Sequence, residues 1–212
     1  MSHFFIVKAS LALSTVVQTA KSNVSASGTA VSVTFNAPVT AGNTLIAAVG
    51  MQNNAQTIST VKDNINSPNW TQAVLKSANN QLAAIYYYNS TLAGTPAVTL
   101  TFASNPGYNM EIAIIEVSGL SGGVDVSSSN TGNTAGTASP GSLTTTGANR
   151  VLVAYHVGQA GTQSGASGWT YTQLPTTQDG FEYIVAATAG TYNPNFTVTG
   201  TTFWSDVAAA FK

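Results

Sequence analysis

The chain has 212 residues, no cysteine, and only 6% Asp, Glu, Lys and Arg, against about 25% in an average soluble protein. The missing cysteine excludes zinc ribbons, cysteine nucleophiles and a disulfide framework. Six basic against seven acidic residues leave no basic stripe for nucleic acid and no polybasic membrane contact.

In chain order, residues 4–20 (FFIVKASLALSTVVQTA) come first. They match an export signal poorly: no basic residue precedes the apolar run, Lys8 interrupts it, and Gln18 sits where a small residue should precede the cleavage site. The run is too short and polar to span a bilayer. Residues 1–30 are therefore read as a retained arm or strand. Phe4, Phe5, Ile6 and Val7 cannot share one face of a strand, so they are assigned as an assembly contact with a second body, against a competing reading as a strand folded onto its own sandwich.

Beyond the arm, alternation with period two dominates and helical periodicity is almost absent. Val31, Val33 and Phe35 share one face of a predicted strand, as do Val98, Leu100 and Phe102. Further strands are predicted at 44–51, 57–62, 70–76, 82–89, 110–117, 151–157, 169–173, 182–188, 196–199 and 204–211. β-Branched and aromatic side chains fill them, and Gly/Pro/Asn/Ser clusters punctuate them. Residues 127–147 are low in complexity, and 121–140 is read as an extended crossover. A chain of this size with many short strands predicts a single β-sandwich domain over 31–212.

The pattern before the crossover returns after it. Asn43–Ala48 corresponds to Asn149–Ala154, Trp70 to Trp169, Tyr87 to Tyr183, Ala93–Thr95 to Ala189–Thr191, and Thr99–Thr101 to Thr197–Thr199. The predicted fold is thus all-β, a jelly-roll-type antiparallel sandwich with an internal two-fold pseudo-repeat over about 31–120 and 141–212. In it two Greek keys pack face to face. The arm has no counterpart in the second repeat.

No catalytic constellation emerges, so no catalytic residue, metal or cofactor is assigned. Gly119–Gly123 fits G-x-S-x-G, with Asp125 and His156 following, but the motif requires a strand–turn–helix elbow and the next residues, Val124-Asp125-Val126-Ser127, are not helical. Glu111 and Glu116 lie five apart on one strand and so point to opposite faces; Glu116 reads as a hydrogen-bonded carboxylate at a strand end. Asp63–Asn66 reads as an Asx turn rather than a calcium loop. His156 reads as a packing histidine. Tyr86, Tyr87 and Tyr88 alternate faces, so at least one is expected to be exposed. Trp169 and Tyr171 share a face. Tyr87, Trp169 and Tyr171 are the candidate sugar-stacking aromatics, against a competing reading of Trp70 and Trp169 as paired core anchors.

The succession Pro-Val-Thr-Ala-Gly-Asn-Thr-Leu (38–45), Asp-Asn…Asn-Trp-Thr (63–71), Tyr-Tyr-Tyr (86–88), Val-Thr-Leu-Thr-Phe (98–102), Ile-Glu-Val-Ser-Gly-Leu (115–120) and Ala-Ala-Ala-Phe-Lys (208–212) resembles a β-rich module of bacterial surface proteins and bacteriophage structural proteins. The resemblance covers about residues 30–212, is one of pattern, and transfers no functional residue. It implies a non-enzymatic virion component, a capsid decoration or a head- or tail-fibre surface protein. Its implied partners are other copies of itself, other virion proteins and a host-surface glycan, with neither nucleic acid nor membrane among them. The alternatives are a secreted carbohydrate-binding or adhesive module and an extracellular filament subunit.

Overall fold

The computed structural model describes residues 13–24, 28–52, 56–175, 179–200 and 203–212. The described residues form antiparallel strands and no helix. Residues up to about 120 contribute β1 (Thr15–Val24), β2 (Ala30–Thr34), β3 (Thr44–Met51), β4 (Ile58–Lys62), β5 (Thr71–Ala78), β6 (Gln81–Tyr88), β7 (Ala97–Phe102) and β8 (Met110–Ser118). The remainder contributes β9 (Val124–Gly132), β10 (Gly136–Ala138), β11 (Leu143–Thr144), β12 (Arg150–Gly158), β13 (Thr162–Ser164), β14 (Thr170–Gln173), β15 (Gly180–Ala186), β16 (Thr191–Tyr192), β17 (Phe196–Val198) and β18 (Trp204–Phe211).

Each part builds its own pair of sheets. The first has a five-stranded sheet, β1-β8-β3-β6-β5, and a three-stranded sheet, β2-β7-β4. The second has β14-β15-β12-β18-β9 and β10-β17-β13, with β11-β16 as a small extra ladder. Alternation explains the stacking. In the first part Val31, Val33, Val98, Leu100 and Phe102 point inward against Leu45, Ala47, Val49, Ile112 and Ile114. In the second, Leu152, Ala154, Ala208, Ala210 and Phe196 do the same. The opposite faces of the two five-stranded sheets are also apolar. They meet in a third core, the seam, where Ile46, Ala48, Ile85, Ile115 and Val117 pack on Val151, Val153, Tyr155, Val207, Ala209 and Phe211. Fully burying each large aliphatic or aromatic side chain there stabilises by about 1.5–3 kcal/mol. Strands buried on both faces read as continuous apolar runs rather than alternating ones, which is how β3, β8, β12 and β18 appear.

Gly50 marks the closest approach across the seam. A Cβ at this position would collide with Val157 and lie 2.7 Å from Tyr155 Cε1. At the β5–β6 turn, Asn79 and Asn80 both take positive φ, 53° and 62°, the geometry of a two-residue hairpin whose twist matches its strands.

Three expectations change. The halves do not each supply one sheet of a shared sandwich, because each contains both a five- and a three-stranded sheet. The segment read as a crossover is β9 and β10. Inside the arm, residues 15–24 form β1, which pairs with β8 along its length. Its place beside β8 is that of β9 beside β18, so the strand part of the arm has a counterpart after all. Phe4, Phe5, Ile6 and Val7 lie outside the described residues.

Four of the repeat's markers keep their face of the sheet. Tyr87 and Tyr183 both pack toward the seam; Trp70 and Trp169 both directly precede an edge strand and pack inward. The pairing of Asn43–Ala48 with Asn149–Ala154 lands on corresponding strands but one residue out of phase. It sets Leu45, an inward residue, against Val151, a seam residue. A slip of one residue exchanges the two faces of a strand, so an even offset cannot align β3 with β12.

Candidate functional site

The acidic residues decide what chemistry the fold can offer. All seven are among the described residues, and each is buried or held by neighbours. Asp63 follows β4. Its Oδ1 accepts from the backbone N–H of Ile65 (2.8 Å) and Asn66 (2.6 Å), and its Oδ2 from Asn66 Nδ2 (3.0 Å) and the Trp70 indole N–H (2.8 Å). The Asx turn expected at 63–66 is therefore also a clamp on Trp70. Glu116, on β8, accepts from Thr40 N–H (2.8 Å), Asn43 Nδ2 (2.6 Å) and Gln18 Nε2 (2.7 Å), tying β1 and the loop before β3 to the sheet. Asp125 accepts from the Thr146 amide (2.9 Å), the Thr146 hydroxyl and Arg150 Nε (3.1 Å). Burial pushes its carboxyl up, but the Thr146 hydrogen bonds and the Arg150 charge outweigh that and hold it below the usual range.

The second half buries three ionisable groups in its interior. His156 (β12) and Asp206 (β18) face each other with Nδ1 and Oδ1 2.6 Å apart and no solvent exposure. Burial raises the Asp206 carboxyl above its ordinary range, and the His156 contact opposes this. Glu182 (β15) accepts from Ala166 N–H (2.7 Å) and Asn195 N–H (3.0 Å). Burial pushes its pKa up to about 7, against those two hydrogen bonds, and the Asp206 charge adds to the rise. Asp179 receives the Gly158 N–H at 3.1 Å, and Glu111 lies buried on the seam face of β8. Beside them the Tyr155 hydroxyl is raised well above its ordinary value, first by burial and then by the charges of Asp179 and Glu111.

The G-x-S-x-G motif forms a turn. Ser121 N–H (3.1 Å) and Gly122 N–H (2.6 Å) both donate to the Lys212 carbonyl, and β9 follows instead of a helix. Asp125 is bound to Thr146 and Arg150, and the carboxylate at His156 is Asp206. The geometry thus does not assemble Ser121, Asp125 and His156 into a triad.

The predicted stacking aromatics are packed. Tyr87 lies edge-on to Phe211 in the seam, with centroids 5.5 Å apart. Trp169 and Tyr171 share a face, as read, but lean on the second half's core, and the Tyr171 hydroxyl is 2.6 Å from that of Thr162. None of Tyr86, Tyr87 and Tyr88 is fully exposed, because β6 lies between two cores and Tyr88 packs beside Trp70. Among the described residues, the aromatic rings most exposed to water are Tyr108 and Phe203, which sequence reasoning missed. Nothing in the residues around Tyr108 separates it from Tyr86 until the strands are placed.

Among the described residues, no group of three His, Cys, Asp or Glu side chains is arranged to hold a metal, and no helix is long and apolar enough to cross a membrane. A groove of about 420 Å³ opens along the seam between Thr19–Lys21 on β1 and Thr172 and Phe181 on the second half. Lys21 Nζ bridges it to the Gln173 carbonyl at 2.7 Å. Comparison of the chain with protein-family models, curated proteins and solved structures finds no match among them.

Proposed function

We propose that this chain is a non-enzymatic structural component of a bacteriophage particle, a decoration or fibre-surface protein of its capsid, head or tail, made of two jelly rolls derived from one doubled unit. The jelly-roll reading is supported within each half by the order β1-β8-β3-β6 facing β2-β7-β4, and β9-β18-β12-β15 facing β10-β17-β13. The doubling is supported by the identical strand order and by the seam. Across it β3 lies against β12, β6 against β18 and β5 against β9. The contact is closest on that side of the two sheets, and a groove opens between β1 and β14–β15 on the other.

The observation that carries the non-enzymatic reading is the disposition of the carboxylates. Asp63, Glu116, Asp125 and Glu182 each hold a loop or turn through two or more hydrogen bonds, and Asp206 is closed on His156. Acid–base catalysis needs such groups within reach of a substrate, and here they face the protein. A rigid body without disulfides, with a Ser/Thr/Asn-rich and sparsely charged exterior, suits repeated packing on a particle.

Its assembly partners are other copies of itself and other virion proteins, contacted through Phe4–Val7. β1 belongs to the sheet, so cleavage near Ala20 would cut it. The informative truncation removes residues 2–12 and leaves β1 whole. Native mass spectrometry is expected to show oligomers of the full chain and a folded monomer of the truncated one. A full chain that stays monomeric, or a truncated one that assembles equally well, overturns the assembly role.

A further inference from the structure

The strand ends bring two exposed rings to one end of the molecule. Met51, ending β3, pairs with Met110, opening β8; Gly158, ending β12, pairs with Trp204, opening β18. Gln52 Nε2 donates across the seam to the Gly158 carbonyl at 2.7 Å, so β3 and β12 finish side by side. Residues 103–109, before β8, and 199–200 and 203, before β18, are therefore at the same end. They occupy corresponding places in the two halves. Each carries an aromatic side chain in water, Tyr108 at 46% and Phe203 at 44% exposure. The Asn79–Asn80 turn joins them, with Asn79 Nδ2 donating to Thr131 Oγ1 at 2.9 Å.

The chemistry of this end is unlike that of the other. Its described connections, 79–80, 103–109, 133–135, 159–161, 174–175, 179, 199–200 and 203, contain one Asp, Glu, Lys or Arg, Asp179, which is buried and accepts from the Gly158 N–H, so they set no charged side chain in water. They present Asn, Gln, Ser and Thr around the two rings. Asp125, Arg150 and Lys212 lie at the opposite end, where β9 and β12 begin and β18 finishes.

We propose that this uncharged end binds a neutral saccharide chain, with Tyr108 and Phe203 as stacking platforms and the surrounding carboxamides as hydroxyl partners. An aromatic face takes the apolar C–H side of a sugar ring at low conformational cost, while Asn and Gln both donate and accept, as sugar hydroxyls require. An anionic glycan, a phosphate or a nucleic acid would need positive charge, which these connections lack. Two platforms on corresponding loops favour a chain of several sugar units over a monosaccharide, because the second contact is then intramolecular. The proposal does not depend on the virion reading.

The test uses the full chain, titrated by calorimetry with cellohexaose, maltohexaose and N-acetylchitohexaose, with hexagalacturonate as the acidic arm and phosphatidylcholine vesicles as the lipid arm. At least one neutral oligosaccharide is expected to bind with a Kd of about 1 mM or tighter. Tyr108→Ala and Phe203→Ala should each weaken it about tenfold, and Tyr108→Phe should retain it. Both rings are exposed, so circular dichroism of the variants should match the parent. The idea fails if none of the three neutral chains binds, if hexagalacturonate binds as well as they do, or if the double alanine variant binds like the parent. Vesicle binding lost with both rings would assign the end to lipid and overturn it too.

Discussion

The two halves share a strand order and differ in what they bury. In the first, the inward positions of β3 and β8 are Leu45, Ala47, Val49, Met51, Met110, Ile112 and Ile114, with Glu116 at the rim. In the second, β12, β18 and β15 place His156, Asp206 and Glu182 among Leu152, Ala154, Ala208 and Ala210. A common topology therefore tolerates an apolar interior or one holding three ionisable groups, provided strand alternation and loop anchors are kept. The first half gains a closely packed apolar interior. The second gains buried polar contacts, His156 to Asp206 and Glu182 to the Ala166 and Asn195 amides.

The largest expected effect comes from breaking the buried pair. Asp206→Ala should destabilise by about 3–5 kcal/mol, because it strands His156 without a partner in the interior. Replacing both residues with Met, to imitate the first half, should restore most of that loss. Urea denaturation of the three proteins checks this. If the single and double variants are equally unstable, the pair is not the source of the difference.

The next effect is on pH. Glu182 titrates near 4.5 when unfolded and at about 7 in the fold, so between these values the folded chain holds the extra proton. Its contribution to stability is complete below 4.5 and lost as pH rises through 7, on the order of 3 kcal/mol. Asp206, also raised, acts with the same sign, while Asp125, lowered, acts oppositely and only at low pH. Denaturation at pH 5 and pH 8 should show the loss, and Glu182→Gln should flatten the profile. A parent chain with no decline across that interval contradicts the assignment.

The smallest effect tests the boundary between the halves. Gly50→Ala pushes a methyl group into Val157 and Tyr155 and should cost about 1–3 kcal/mol. Gly50 is not among the glycines with positive φ, whereas at Gly107 an added Cβ meets nothing but φ is 68°, so Gly107→Ala reports backbone strain alone and Gly50→Ala the clash alone. A Gly50→Ala variant as stable as the parent by urea denaturation would show that the seam is not tightly packed.

Much of this fold was legible because alternation is a direct image of the pleat. Val31/Val33/Phe35 and Val98/Leu100/Phe102 face inward as read. β9 escaped because only Val124 and Val126 contribute apolar side chains to cores, and the rest is Ser, Asn, Thr and Gly on an edge. β1 escaped in part for the same reason. The His156–Asp206 pair was not legible: fifty residues separate its members, and only the pairing of β12 with β18 joins them. The anchoring roles of Asp63 and Glu116 were readable, since an acid followed by Asn and a half-buried strand-end carboxylate are both local patterns.

The edge strands carry a consequence for synthesis. Among the described residues β1 pairs only with β8, and β9 only with β18, so the first strand of each half has no ladder among them until the last one is made. Such non-local closure makes folding slow. On the ribosome, which adds roughly 5–20 residues per second and releases domains N-terminal first, the first half completes its sheet while the second is still being translated. Its seam face, carrying Ile46, Ile85, Ile115 and Val117, then waits in solvent for several seconds. During that interval the nascent chain is most exposed to pairing with a copy of itself, and the tether supplied by residues 119–123 favours the partner from its own chain.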